Sequence, residues 1–329
     1  PINILITGPS GQIGTNPAPA PQSRGAPPPL ILGIDKRPNT WTTQIPTLLL
    51  DMTHPPTAES LAPALHFKPD LIVHLAAWAK VHQLVKEPDK AFENVAMTHW
   101  ALELARHTKA PTIFGSSREV YGDVRRHVTD ESQADHVIAG SPYSASKIAA
   151  EAFFSSYAKC YNLKTLIFRF SNVYGRYDND LDRMERVIPL FVKKIATDQP
   201  ITVFGKDKML DFTYIDDCIS GILAGIDKLA PSPSPGMGGG AVPGLSLSNE
   251  TINLAYGQGQ TLYDLVTLIE LALNKKANAT YAPSQTGEVT RYVADITKAR
   301  QLLHYSPQTP LTRGILHYVQ WCRETNFIP

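Results

Sequence analysis

Short apolar runs alternate along the chain with longer stretches in which apolar residues recur at helical spacing. Residues 2–6, 30–34, 71–75, 112–115 and 165–170 have the length and apolar content of strands buried on both faces. Residues 89–107 and 142–161 carry the helical period between them. This alternation predicts an α/β fold, a doubly wound parallel sheet with helices on both faces, over residues 1–175. Beyond residue 175 the elements shorten, with strands expected at 201–204 and 251–254 and helices at 215–229, 262–273 and 311–324. Residues 176–329 are therefore expected to form mainly a smaller C-terminal α+β lobe, with some segments returning to the main sheet.

One stretch breaks the scheme. Residues 15–29, TNPAPAPQSRGAPPP, stand where the first crossover helix belongs. Pro17, Pro19 and Pro21 lack backbone donors and clash with the preceding turn, at about 3 kcal/mol each in a helix interior. The interval from Gly8 to Asp35 still has the length of a helix, a turn and a second strand, so either the segment is distorted or these are not the residues that fill it. A second run, PSPSPGMGGGAVPG at 231–244, reads as a loop.

Charge and cysteine content narrow the partners. Lys and Arg number 31 against 30 for Asp and Glu, which leaves no basic field for nucleic acid or an anionic membrane. No apolar run reaches the ~18 residues of a membrane span, and the opening PINILITG lacks a basic n-region, so it reads as a first strand. Small molecules are the expected ligands. Cys160, Cys218 and Cys322 lie far apart without CxxC spacing, which fits a reducing cytoplasm and suggests neither a disulfide framework nor structural zinc. His74, His82 and His99 lack ligand spacing, so no metal is expected.

The first strand runs into ITGPSGQIGT, in which Gly8, Gly11 and Gly14 lie three apart with Gln12 and Ile13 between the last two. Such glycines let a backbone turn sharply and approach a pyrophosphate, though any tight strand-to-helix turn uses them too. The second strand ends in Asp35, about 20 residues on, where a carboxylate accepts from both ribose hydroxyls and repels a 2′-phosphate. That favours NAD over NADP, although Lys36 and Arg37 are cations a 2′-phosphate could use; an exposed turn Asp is the bland alternative. Further along, SPYSASK puts Tyr143 and Lys147 four apart on one helix face, downstream of the strand end at Ser116 and Ser117. A phenol is a poor base at neutral pH, but an adjacent ammonium and a nicotinamide cation lower its pKa. Tyr-x-x-x-Lys alone is a common solvated helix face; its place after the glycine turn gives it weight.

Taken with LLLDM around Asp51 and Met52, HLAA at 74–77, SSREVYG and RFSNVYG, these motifs resemble the extended short-chain dehydrogenase/reductase family, specifically its NAD-dependent nucleotide-sugar epimerases, dehydratases and decarboxylases. The resemblance covers nearly the whole chain and implies a Rossmann-type sheet with a substrate lobe. It implies that Gly8, Gly11, Gln12, Ile13 and Gly14 hold the pyrophosphate, Asp35 and Lys36 the adenosine ribose, Asp51 and Met52 the adenine, and that Leu75, Ala76 and Ala77 pass under the cofactor. Ser117, Tyr143 and Lys147 match the family's catalytic set, in which the Tyr removes the sugar 4-hydroxyl proton while hydride leaves C4. Asn172 matches a contact to the substrate phosphate, and Lys80 and Arg291 fall near the substrate cleft.

Departures from the pattern bear on the sugar. Leu210 and Gln285 stand where the resemblance implies diphosphate-gripping arginines, so Arg291, Arg176, Arg183 or Arg186 would have to compensate, unless these are simply solvated. Glu119 matches a C5 base of dehydratases and decarboxylases. Arg118 replaces the acid of the dehydratases and, being charged at any working pH, disfavours simple 4,6-dehydration. A guanidinium suits a carboxylate, which suggests a UDP-linked acidic sugar; the bland reading has Arg118 pointing away and paired with Glu119 or Asp123. The expectation is an enzyme acting through a transient 4-keto sugar, with 4-epimerisation favoured over decarboxylation of a UDP-uronate or dehydration, and a dinucleotide-binding sensor without turnover as the contrasting class. Trp78 and Trp100 read as packing residues and His74 as a core residue. Helices near 97–107 and 144–161 could form a homodimer bundle.

Overall fold

A computed structural model describes residues 2–16, 28–122, 130–131, 139–182, 184–229, 247–284 and 289–329. The first half runs β1 (Asn3–Thr7), α1 (Gln12–Thr15), β2 (Leu30–Asp35), β3 (Thr47–Leu49), α2 (Ala58–Phe67), β4 (Leu71–His74), α3 (Val81–Lys86), α4 (Asp89–Thr108), β5 (Thr112–Ser117), α5 (Pro142–Tyr161) and β6 (Thr165–Phe170). The remainder is β7 (Val173–Tyr174), α6 (Val187–Ala196), β8 (Ile201–Phe204), β9 (Met209–Asp211), β10 (Thr213–Tyr214), α7 (Ile215–Leu229), β11 (Glu250–Leu254), β12 (Gly259–Thr261), α8 (Leu262–Leu273), β13 (Ala279–Ala282), α9 (Thr297–Leu303) and α10 (Leu311–Glu324). The main sheet has the order β3-β2-β1-β4-β5-β6-β11, and all its pairings are parallel. It is the Rossmann-type doubly wound sheet that the alternation of strands and helices predicts. The short strands pair separately: β10 with β7, β12 with β9 and β13 with β8.

Burial follows the pattern of apolar residues. β4 is buried at every position, as a central strand covered on both faces must be. Trp100, Leu104 and Met97 of α4 pack with Leu61 of α2, Leu5 and Ile72 on one face of the sheet. On the other face Leu71, Val73, Ile113 and Phe168 join Ile222 and Ile226 of α7, Leu265 and Ile269 of α8 and Ile315 of α10 in one continuous core. Fully burying each such side chain is worth about 1.5–3 kcal/mol.

The elements carry local reasons for their ends. α5 starts at a capping box, in which Ser141 and Ser144 exchange side-chain to backbone bonds, with Pro142 at the first helical position; it ends on Asn162 in the left-handed conformation. These ends put Tyr143 in the first turn and Lys147 one turn on. The first crossover departs from the ordinary pattern: α1 stops after four residues at Asn16, and residues 17–27 lie outside the described part. The 231–244 stretch, Asp123, Arg183 and Gln285 lie outside it as well.

Candidate active site

Strand order reverses between β1 and β4, and their carboxyl ends open the crevice where such sheets bind ligands. The first residue after β1 is Gly8, at φ +74°, and a Cβ there would stand 2.7 Å from the backbone nitrogen of Ala76. Gly14 is equally constrained, since its Cβ would meet the Gly8 carbonyl at 2.4 Å. Only glycine allows this turn to close against β4. Gly8, Gly11, Asp35, Asp51, Met52, Leu75, Ala76 and Ala77 line one cleft. Asp35 is nearly buried and accepts from the Ser10 and Arg37 N–H groups at 3.4 and 3.1 Å. Burial works against the Asp51 carboxylate, but two bonds from Thr53 and the charges of Lys36 and His54 prevail and hold it below its usual range. Ile13 packs on the core, and Gln12 turns its amide oxygen to Arg186. The donor set and the closeness of the turn fit NAD.

Trp78 packs against two apolar clusters, as the sequence reading has it, and also lines this cleft, with the ammonium groups of Lys36 and Lys90 at 4.2 and 4.0 Å from its ring centre and its indole N–H given to Glu93 at 2.5 Å. Trp100 is buried as expected and donates to Ser60. His74 is a core residue: fully buried, its two ring nitrogens lie 2.6 Å from Thr7 Oγ1 and 3.2 Å from Thr98 Oγ1. Burial and the Lys147 charge push its pKa down to about 3, so it stays neutral and stitches β1, β4 and α4.

Ser117, Tyr143 and Lys147 converge. Ser117 ends β5, accepts from the Glu119 N–H at 3.2 Å and lies close enough to Tyr143 to lower the pKa of its phenol. Lys147 is buried; its Nζ donates to the Gly115 carbonyl at 2.7 Å and lies 5.8 Å from the Tyr143 ring centre. Burial pushes Tyr143 up to about 12, with Ser117 lowering it, Glu119 raising it, and Arg186 and Arg118 lowering it. Burial pushes Lys147 down to about 8 against the opposing charge of Glu151. A phenol and an ammonium are thus held in a dry niche beside the crevice, where small changes of charge move protons most.

Arg118 and Glu119 follow in a short 3-10 turn, Arg118–Tyr121. Half of the bland reading holds: Arg118 pairs with Glu119 at 3.1 Å. It does not point away, for its NH2 lies 3.5 Å from the Asn172 side-chain oxygen and its guanidinium 5.6 Å from the Tyr292 ring centre. Asn172 in turn donates to the Asp211 carbonyl at 3.1 Å. Arg291 aligns with Met209 in a bridge, whereas its neighbour Tyr292 faces Arg118. Lys80 caps α3, where its backbone carbonyl accepts from Gln83 and Leu84. Leu210 is buried in the apolar core. Arg176 and Arg186 are engaged rather than solvated, through Asp216 and Asn16 and through Asp178 and Gln12 respectively.

A supporting layer escapes sequence reading. Glu151, one turn beyond Lys147, is forked by Arg169 at 3.0 and 2.7 Å and accepts from Ser116 at 2.6 Å. Arg169 lies 4.8 Å from the Tyr121 ring, whose hydroxyl donates to Asn253 at 2.6 Å. Asp211, fully buried, takes three backbone N–H groups, from Tyr256, Gly257 and Ala294, yet burial still pushes it up to about 7. Each is an ordinary polar residue in the sequence; only the helical spacing of Glu151 from Lys147 signals any of them. Among the described residues no group of His, Cys, Asp or Glu is placed to hold a metal ion, and no helix is long and apolar enough to cross a membrane.

Comparisons with known proteins agree with this geometry. Residues 4–237 match the model of the NAD dependent epimerase/dehydratase family. The UDP-glucuronate 4-epimerase 1 of Arabidopsis thaliana is 28% identical, over 97% of this chain and 76% of its own. The UDP-glucose 4-epimerase of Thermotoga maritima, solved with UDP-glucose, superposes with a TM-score of 0.82 at 25% identity, covering 99% of this chain and 100% of that one. The UDP-glucuronic acid 4-epimerase of Bacillus cereus, solved with UDP-glucuronic acid and NAD, does so with a TM-score of 0.80 at 26% identity, over 98% and 100%. The chain belongs to the NAD dependent epimerase/dehydratase family and is an NAD-dependent enzyme of the extended short-chain dehydrogenase/reductase class.

Proposed function

We propose that the chain is a UDP-sugar 4-epimerase, with an acidic sugar such as a UDP-uronate as the favoured substrate. The observation that carries the reading is the convergence of Tyr143 and Ser117, with the Lys147 ammonium fixed on the Gly115 carbonyl 5.8 Å from the Tyr143 ring centre, at the carboxyl end of β5 beside β4. Tyr143 takes the proton of the 4-hydroxyl, Ser117 holds the same oxygen, and the Lys147 charge favours the phenolate. NAD, which the Gly8–Gly14 turn, Asp35 and Asp51 would hold, would supply the reversible hydride acceptor for C4. Once the 4-keto sugar turns over in the site, return to the opposite face inverts C4 and Tyr143 gives the proton back. Glu119 has one carboxylate oxygen engaged by Arg118, which supports epimerisation over elimination from C5. Arg118 is also the group that would meet a sugar carboxylate, beside Asn172 on the substrate phosphate side.

The reading extends to its setting. Residues 176–329 would mainly supply the sugar-nucleotide side, with Lys80 and Arg291 at its margins. Phe92 of α4 and Phe153 of α5, 74% and 46% exposed on two helices packed together, support a homodimer through these faces. Three unpaired thiols suit the cytoplasm. The test is to incubate the protein with UDP-glucuronate and UDP-glucose and read products by NMR. A C4 epimer without net nicotinamide consumption is expected, abolished in Tyr143→Phe while NAD stays bound. Loss of carbon dioxide, or a 4-keto-6-deoxy product, would replace the epimerase reading.

A further inference from the structure

The glycine turn has little support from its own strand–helix unit. α1 covers only Gln12–Thr15, its N-cap Gly11 makes no side-chain bond, and its first turn holds no acidic residue. Pro17, Pro19 and Pro21 follow at once in the sequence. A single turn of helix sums few peptide dipoles and is unstable alone, so the turn that approaches the pyrophosphate needs an outside hold.

Two arginines from beyond Gly175 reach across to it. Arg186, at the start of α6, donates to the Gln12 side-chain oxygen and, at 3.2 Å, to the Val173 carbonyl, with the buried Asp178 carboxylate 3.5 Å away. Arg176 donates to Asn16 Oδ1 at 3.2 Å and is paired with Asp216 at 2.5 Å. Asn16 Nδ2 gives a bond of 2.7 Å to the Gln12 carbonyl, which joins the two points of contact. Each guanidinium therefore has a carboxylate on its own side and an amide oxygen of the glycine turn on the other. Gln12 Nε2 is buried without a hydrogen-bond partner, a donor left over for a ligand oxygen beside the turn.

We propose that Arg176 and Arg186 form a clamp that holds the pyrophosphate turn in its binding geometry and so retains NAD between turnovers. Retention matters because hydride must come back from the same cofactor molecule that took it. Arg186 and Arg176 are positioning residues here. The proposal rests on NAD use and not on the sugar, so its failure would leave the epimerase reading intact.

The experiment measures NAD retained after gel filtration, by release and chromatography, and its dissociation rate in Arg176→Ala, Arg186→Ala and the double variant. Amide exchange over residues 8–16 and affinity for UDP are followed in parallel. The double variant should release NAD about 10- to 100-fold faster, the range expected for losing one or two charge-assisted bonds, with faster exchange over the turn. Arg186→Lys should restore part of the retention. Gln12→Leu and Asn16→Ala attack the same contacts from the other side and serve if the arginine variants do not fold. Combined with Arg176→Ala, Asn16→Ala should add little further loss. Unchanged NAD release, release that rises with additive losses, or a loss confined to UDP would each overturn the clamp.

Discussion

Glu151 accepts a hydrogen bond from Ser116 at 2.6 Å, which ties the residue before Ser117 to the helix that carries Tyr143 and Lys147. The same carboxylate is forked by Arg169 on β6, so one ion pair registers two strands and a helix. Both side chains are mostly buried, at 7% and 14% exposure, and Arg169 also gives a bond to the Glu131 carbonyl at 2.7 Å. A buried pair of this kind specifies position more than it adds stability, and breaking it on one side leaves a charge without a partner.

Glu151→Gln keeps the shape and removes the charge. It should lower the unfolding free energy by about 3–5 kcal/mol, the typical cost of orphaning one member of a buried pair. Urea denaturation measures this, and a loss below ~1 kcal/mol would show that the pair is not a structural strut.

Lys147 predicts the alkaline side of the pH profile. Its pKa is pushed down to about 8 by burial, with Glu151 opposing; Tyr143, the neutral His74 and the Gly115 carbonyl are the other groups that face it. The ammonium is present below this value and lost as pH rises through it. kcat/KM should therefore fall above about pH 8, or lower once the nicotinamide charge is added, and Glu151→Gln should move the fall to lower pH. Because the unfolded chain keeps the proton up to 10.5, this group adds stability as pH rises from about 8 to 10.5, the opposite sense to its effect on turnover. A kcat/KM flat to pH 10 would remove Lys147 from its role.

Arg118 predicts the sugar. In Arg118→Ala the KM for UDP-glucuronate should rise about 10- to 100-fold, while that for UDP-glucose changes little, as expected when one charge-assisted carboxylate contact is lost. Equal effects on both substrates would mean that the guanidinium serves Glu119 and Asn172 alone.

Sequence alone resolves what local chemistry constrains. Helices 142–161 and 262–273 are legible to their ends because each has a capping box, Ser141 with Ser144 and Thr261 with Asp264, and a left-handed Asn at the close. α2 is missed because Pro63 argues against a helix that its Thr57–Ser60 box and the packing of Leu61 and Ala64 sustain. α6 is missed because the residue before it, Arg186, offers no capping side chain. The glycines, Asp35, Ser117, Tyr143 and Lys147 stand out in the sequence because their spacing falls within single strand–turn–helix units. The polar contacts of Trp78 and Arg186 are not legible for the opposite reason: their partners are Lys36, Lys90, Gln12 and Asp178, and Arg186 meets Gln12 across a sequence separation of 174. Long-range polar contacts leave no period in a sequence.

Asp35 and Lys36 together predict the choice of dinucleotide. The Asp35 carboxylate is fixed by the Ser10 and Arg37 N–H groups, so its remaining acceptor sites face the cleft, where they suit ribose hydroxyls and repel a 2′-phosphate. Lys36, the cation next to it in the sequence, is drawn off over the Trp78 ring at 4.2 Å and toward Glu93 at 3.8 Å. Asp35→Ala should therefore weaken NAD by about 10- to 100-fold, the loss of one or two charged hydrogen bonds, and narrow its lead over NADP. Adding Glu93→Gln should narrow it further by freeing Lys36 to meet a phosphate. Titration of nicotinamide fluorescence with NADH and NADPH measures both steps. If the unaltered protein binds the two cofactors equally, the carboxylate does not discriminate and Lys36 must already reach the ribose.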